Sequence, residues 1–468
     1  MLTNEELYPR GCFGELDHWL QERVQLMLPA MQARPGASFN ALFETHRERM
    51  GAYRMCEHEE VTFQRLLQPP AQAVAERIAQ GQWGDRVLSV HDRTECNETA
   101  LAASMKGLGE IGNPKCRGFF LQTALALDTQ GVALGVLSAQ TWIRPEGQHG
   151  KAQQRKVRAF EDKESARWWH GIEQAEQRVG RAGVLRHIID AEGDIYELFE
   201  RAQQSGACLL VRAAQQRRVE PEGSLWQALE AMPEAGRREV PVPARPAREG
   251  QPARSARSAE LTLRFGPVRV KAPRTHGQPG TLALWALLVR EHNAPLGEEP
   301  LEWLLLTNEP LLSVEHAWHQ VDCYLKRWKI EEFHKCLKTG CRVERRPFEA
   351  REHLENALAL LMLVSVQLLA LTTLARVEPD MPADRVLEPE ELQVLRLQAP
   401  LMDAPALSSQ PTVAEVVPLI ARLGGYMARR SDGPPGWLTL WRGYQRLQLM
   451  VDGFVLARSL APSLPLRV

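Results

Sequence analysis

The stretch YLKRWKIEEFHKCLKTG, residues 324–340, sets Tyr324, Arg327, Glu331, Lys335 and Lys338 at intervals of three, four, four and three. On a single helix these positions share one narrow face, and Cys323, Ile330, Phe333 and Leu337 fall on the opposite face, suited to a core. One carboxylate among a phenol and three cations admits two readings. It is an exposed face laced by the pairs Arg327–Glu331 and Glu331–Lys335, or the carboxylate binds a metal ion while its neighbours grip the phosphates of a nucleic acid. Two more acids bear on the choice. RVLSVHD reads as a short strand ending on Asp92, and VLRHIID as another ending on Asp190. A strand end holds a side chain rigidly at a reachable sheet edge. Two aspartates and a glutamate offer a few hard oxygen ligands and leave room for water and a substrate phosphate, the arrangement Mg²⁺ prefers. A pair of such ions activates a water or a 3′-hydroxyl and stabilises the leaving oxygen of a phosphodiester. Taken singly, each aspartate reads as a capping or turn residue; the combination carries the chemistry.

The chain that must position these groups has 468 residues, 44% hydrophobic and 25% charged, enough for two to four domains of an ordinary soluble protein. Its formal net charge of −1 rules out a global basic signal for nucleic acid, so any polyanion site is local. The eight cysteines contain no C-x-x-C pair and read as reduced thiols of a cytosolic protein. The N-terminus lacks the charged and then apolar pattern of a signal peptide. ALALLMLVSVQLLALTTLA, residues 357–375, has no charge and nearly the length of a membrane span. It contains Ser365, Gln367, Thr372 and Thr373, has no companion segment, and reads as a buried core helix. No membrane partner is expected.

Residues 1–70 read as short amphipathic helices, broken at Pro35-Gly36 and ending at Pro69-Pro70. From Arg86 the pattern becomes strand, hairpin (118–145, turning at Asp128–Gly131), helix with its stop at Gly180, strand, helix and strand. That order is α/β with a mixed sheet. Residues 214–300 shift to Arg, Pro, Gly and Val, with short strands LTLRF, VRVKA and LALWALLV, a β-rich insertion with a flexible arginine-bearing loop near 244–258. The sheet resumes at EEPLEWLLLTNEP. Beyond 376 a linker leads to a final helical region, whose last helix places Leu438, Trp441, Leu447 and Val451 near one stripe.

Tyr324, Arg327, Glu331 and Lys338, with the surrounding RWKIEEFHKCLKTG, resemble the tyrosine–arginine–glutamate–lysine signature of bacterial cut-and-paste transposases with an Asp-Asp-Glu active site. The closest likeness is to the insertion-sequence-four-like family that includes the transposon-five transposase. HDRTE around Asp92 resembles that family's first aspartate motif and IIDAEGDIYELF its second. GAYR (51–54), KESARWW (163–169), EWLLLTNEP (302–310) and LGGYMARRSDGPPGWLTLWRGYQRL (423–447) resemble further stretches.

The resemblance implies an RNase H-like catalytic core, residues 71–375, interrupted by the β-rich insertion 214–300. A helical DNA-end-recognition domain (1–70) and a helical dimerisation domain (376–468) flank it. Asp92, Asp190 and Glu331 would be catalytic metal ligands for Mg²⁺, with Mn²⁺ substituting and two ions per site. Tyr324, Arg327, Lys335, Lys338 and Arg212 would hold the DNA backbone, and Trp303 would stack on a flipped base. Glu192 and Asp194 are adjacent candidates; Asp194 serves equally as a helix N-cap. The implied reaction nicks the transposon end, forms and opens a hairpin, and joins the 3′-ends to target DNA, in a cytoplasmic homodimer on paired double-stranded ends. LWRGYQRL is the candidate dimerisation stretch. The chain departs from the family at its start: the first 50 residues hold five arginines, no lysine and seven acids. Arg47, Arg49 and Arg54 remain as end readers, and starts at Met50 or Met55 would give a shorter, inhibitory product. The alternatives are a DNA-binding or dimerising regulator and a stand-alone metal-dependent nuclease.

Overall fold

The computed structural model describes residues 13, 16–144, 160–244, 247, 253–274, 276, 278–429 and 433–460. It divides into two compact units, one of residues 1–85, 93–149 and 328–468, the other of 86–92 and 150–327. Strand β1 (Val87–Asn97) belongs to both, its residues through Asp92 to the second unit and the rest to the first.

The first unit is built around one helix. Helices α1 (His18–Ala33), α2 (His46–Glu57) and α3 (Phe63–Ala79) precede β1, and a hairpin of β3 (Asn113–Leu127) and β4 (Ala133–Trp142) follows the short strand β2 (Gly109–Ile111). Helix α2 opens with a capping box between Thr45 and Glu48. The hairpin turns where Asp128 Oδ1 accepts from the amides of Gln130 and Val132, satisfying two backbone donors that the turn leaves unpaired. Pro69 and Pro70 do not end α3, contrary to the sequence expectation. Phe63, Leu66 and Leu67 on one side of them and Ala71, Val74 and Ile78 on the other are all buried, and that continuous apolar face outweighs the backbone bonds the prolines delete. The charge-free segment lies in the long helix of residues Arg351–Val377. Its most apolar window is 89% buried inside the protein. Its polar groups are used locally: Ser365, Thr372 and Thr373 hydroxyls donate to carbonyls one turn back, and Asn356 Nδ2 donates to Cys56 and Val61 carbonyls.

The second unit is the mixed sheet with its helices. Strand β5 (Leu185–Ile189) runs parallel to β1 and to β6 (Cys208–Arg212), with α4 (Ala166–Val179) and α5 (Tyr196–Ser205) as the crossover helices. Gly180 stops α4 as read from the sequence, and Gly206, likewise left-handed, stops α5. The insertion is β-rich and also contains a short helix, α6 (Leu225–Glu230), that the sequence reading missed. Strand β7 (Gly236–Val242) precedes β8 (Arg257–Lys271), which joins LTLRF and VRVKA in one strand. Strand β9 (Thr281–His292) pairs with β8 over twelve positions. The 244–258 loop falls partly outside the described residues. Strand β10 (Glu302–Thr307) pairs antiparallel with β6 and β9.

Two expectations near the site need correction. Strand β1 does not end at Asp92 but continues five residues to Asn97. The 324–340 stretch is not one helix. Helix α7 (Val314–Leu325) closes through tight bonds from the Lys326 and Arg327 amides to the Cys323 and Tyr324 carbonyls. Helix α8 (Trp328–Lys335) then begins, and Cys336–Gly340 follows as a π-helical turn closed by Cys341 N–H on the Cys336 carbonyl at 2.8 Å. An extra residue per turn rotates Lys338 away from the position a regular helix would give it. After it come α9 (Arg351–Val377, the core helix), α10 (Pro389–Leu401), α11 (Val413–Leu423) and α12 (Trp437–Leu460).

Candidate active site

The register of β1 on β5 does the first piece of positioning. Val87 through His91 pair with Leu185 through Ile189, so Asp92 and Asp190 are the next residues on two adjacent parallel strands, about 5 Å apart at the backbone. Both are half-buried. Asp190 Oδ1 accepts from the Glu192 amide at 2.8 Å and so caps the 3₁₀ turn Ala191–Gly193, which makes the carboxylate rigid. Burial raises the Asp190 carboxyl above its ordinary range; its own backbone bond pulls the other way, and Asp92 and Glu192 add to the rise while Arg327 offsets it. Like charges held together at a strand end store repulsion that a cation relieves.

Behind this pair, on the opposite face of the strands, lies a buried chain of imidazoles. Glu176 of α4 accepts from His187 Nε2 at 3.0 Å, and His187 Nδ1 lies 2.9 Å from His91 Nε2. A carboxylate only accepts, so His187 donates to Glu176 from Nε2 and presents Nδ1 to His91 Nε2. Burial, reinforced by His187, holds His91 far below its usual range, so His91 stays neutral. The chain ties β1 to β5 just ahead of the aspartates, His91 one residue before Asp92 and His187 three before Asp190.

Around Asp190 stand the other predicted groups of the second unit. Tyr324 is buried near the end of α7, its hydroxyl bonded to Arg327, and desolvation raises it while Arg327 and Arg212 oppose. Arg212 ends β6, exposed, opposite Leu305 of β10. Trp303, half-buried, is two residues from that pairing and stands opposite Val289, so it is not a core tryptophan. Asp92, Asp190, Tyr324, Arg327, Arg212 and Trp303 thus belong to one unit, with Glu192 exposed beside them. Glu331, Lys335 and Lys338 belong to the other. Glu331 is half-buried on α8. Lys335 lies over the Trp328 ring at 4.7 Å, and Lys338 Nζ donates to the Glu95 carbonyl and lies 3.5 Å from Glu344 Oε1. Among the described residues no group of three or more potential ligand side chains is gathered at one point.

Asp194 is not the N-cap. It is buried, ion-paired to the Arg217 guanidinium, and accepts from the Ala214 and Gln215 amides; Ile195 caps α5. Two structural pairs had no sequence signal: Arg217–Asp194, and Arg186 bridging Glu309 at 2.7 Å. LWRGYQRL lies on α12 and is partly engaged inside the protein. Leu440, Trp441, Gly443 and Leu447 are buried within the protein, because Gly443 and Gly424 let α11 and α12 meet backbone to backbone. The exposed apolar side chains of α12 are Leu449, Val455, Leu456 and Leu460.

The donor set at Asp92 and Asp190 consists of hard carboxylate oxygens that repel one another, partly offset by Arg327, and it fits a divalent cation. Comparison with known proteins places the chain. Residues 190–367 match the family described as Transposase DDE domain, and residues 363–463 match the Transposase Tn5 dimerisation domain. A solved piggyBac transposase synaptic complex with hairpin DNA aligns at 9% identity over 99% of this chain and 85% of that one; its TM-score of 0.36 is too low to argue from. The DDE match begins at Asp190 itself and runs through Glu331 into the core helix, which makes the mixed α/β core RNase H-like, and the second match takes over along the same helix to α12. Joined in that way, the two matches show that the chain belongs to the Tn5-like DDE transposases, divalent-metal-dependent enzymes of DNA transposition that carry a dimerisation domain.

Proposed function

We propose that this transposase works by cut-and-paste: it nicks the transposon end, forms and opens a hairpin, and joins the freed 3′-ends to target DNA as a dimer on paired ends. The observation that carries the reading is the β1–β5 register, which sets Asp92 beside Asp190 with Arg327, Tyr324 and Arg212 around the second aspartate. Asp92 and Asp190 would hold the metal, with Glu331 as the third acid of the signature. Mg²⁺ suits an all-carboxylate set, with Mn²⁺ able to substitute, and ions held there would supply an activated water or 3′-hydroxyl and charge stabilisation at the leaving oxygen. Arg327 and Arg212 bind phosphate oxygens near Asp190, and the Tyr324 hydroxyl orients Arg327 through their hydrogen bond. Lys335 and Lys338 bind the same backbone, and Trp303 takes a flipped base on its ring.

Residues 1–70 serve end recognition, 71–375 the chemistry with the 214–300 insertion, and 376–468 dimerisation. Arg47 and Arg54 are exposed seven residues apart on α2, which supports their role as end readers. The nucleoid in the cytoplasm is the place of action. The test uses purified protein, Mg²⁺ and a DNA fragment carrying the end sequence that flanks the gene, wild type beside Glu331→Gln, resolved on a denaturing gel. Nicked, hairpin and joined products from wild type alone support the proposal. Binding without cleavage by either protein replaces it with a regulator, and cuts without joining replace it with a nuclease.

A further inference from the structure

Lys338 is already engaged by acceptors of its own unit. On the π turn its ammonium donates to the Glu95 carbonyl and lies 3.5 Å from Glu344 Oε1, both side chains about a quarter exposed. The same Glu344 Oε1 accepts from the Asn97 amide at 2.9 Å, which pins the carboxylate to the end of β1. Close to Glu344 lies Glu98, fully buried, with neither carboxylate oxygen bonded to anything. All of these residues belong to the first unit. A carboxylate anchored by a backbone amide is not free to swing away when a phosphate arrives, so lysine and phosphate meet only if the ion pair is broken.

We infer that Glu344 is a positioning residue that acts through Lys338: it is an internal counter-ion that DNA must displace, and it keeps affinity for DNA ends low. This rests on the reading of Lys338 as a phosphate contact. A lysine neutralised by solvent ions gives up those ions on binding and gains from their release. A lysine neutralised by a fixed protein carboxylate gains less, and the carboxylate then faces the phosphate with like charge. Glu344→Gln is the suitable variant because the amide oxygen still accepts from Asn97 while the charge is lost.

The experiment is a double-mutant cycle on binding of a labelled duplex with the end sequence that flanks the gene, using wild type, Glu344→Gln, Lys338→Met and the double variant, with thermal melts of each. Glu344→Gln is expected to tighten binding about two- to fivefold, the range of a partly exposed ion pair. Lys338→Met is expected to weaken binding, and Glu344→Gln to have no effect in the Lys338→Met background. A gain that persists unchanged in the double variant would be a general charge effect and overturns the inference, as does a Glu344→Gln protein that binds like wild type or more weakly. Lys338→Met binding like wild type removes the phosphate reading of Lys338 and the inference with it. A gain seen only when Lys338 is present supports both.

Discussion

Glu98→Gln should reshape the pH dependence of stability. Glu98 is fully buried, both its oxygens lack a partner, and burial, with Glu344 adding like charge, pushes its carboxyl from 4.5 up to about 8. The folded protein therefore keeps a proton that the unfolded chain releases near pH 4.5. Where the folded state binds the extra proton, stability falls as pH rises, so the loss develops between pH 4.5 and about 8 and is complete above it. At 1.36 kcal/mol per unit the full shift is worth ~5 kcal/mol, of which ~2–3 kcal/mol falls between pH 6 and pH 9. Glutamine has the same shape and no titration, so its burial cost does not vary over that range. Urea denaturation of wild type and Glu98→Gln at pH 6, 7, 8 and 9 checks this. The two stabilities should converge toward pH 6 relative to pH 9, with the variant gaining as pH rises. Parallel curves would refute the reasoning, because they would mean that Glu98 is ionised and compensated in the fold, which its bare oxygens argue against.

Asp194→Asn should cost about 3–5 kcal/mol in urea unfolding, because it leaves the buried Arg217 without its counter-charge. Asp190→Asn, which relieves repulsion from Asp92, should leave stability unchanged or slightly raised without metal; equal losses in the two would undo the distinction between structural and ligand aspartate. Millimolar Mg²⁺ should raise the melting temperature of wild type, by about 2.7 kcal/mol of stability at a hundredfold excess over Kd. The rise should vanish in Asp92→Asn, and a shift retained there would place the metal elsewhere. Gly443→Val should destabilise by about 1–3 kcal/mol, since any Cβ at that position meets the Ile420 carbonyl of α11, with protease sensitivity of α12 as the readout; wild-type resistance would show that the helices separate freely.

Much of the architecture could be read from local pattern. The Asp128 hairpin, the Gly180 helix stop, the strand leading up to Asp190 and the buried helix over 357–375 each follow from a few neighbouring residues, because turn chemistry and side-chain periodicity act over one or two turns of chain. The candidate ligands were legible for a related reason: acidic residues after apolar strand patterns, and a signature whose spacing is itself the information. Short-range rules failed where distant residues outvoted them. Prolines 69 and 70 stay inside a helix because its apolar face has a core to join, and LTLRF and VRVKA merge because β9 pairs with both. The helix expected over 324–340 breaks into three pieces, a division that spacing alone could not reveal.

By itself, then, the sequence determined most of the element types, the candidate acids and cations, and the family to which the chain belongs. Only the tertiary structure decided how individual charges are buried and paired. Asp190 and Asp194 are four residues apart and look alike in the sequence, yet one lies half-exposed beside Asp92 and the other is neutralised by Arg217. Glu98 reads as an ordinary surface glutamate until its oxygens are found buried and bare. A carboxylate's pKa and availability depend on solvent access and on charges brought near by the fold from far along the chain, and neither is a property of its neighbours in sequence.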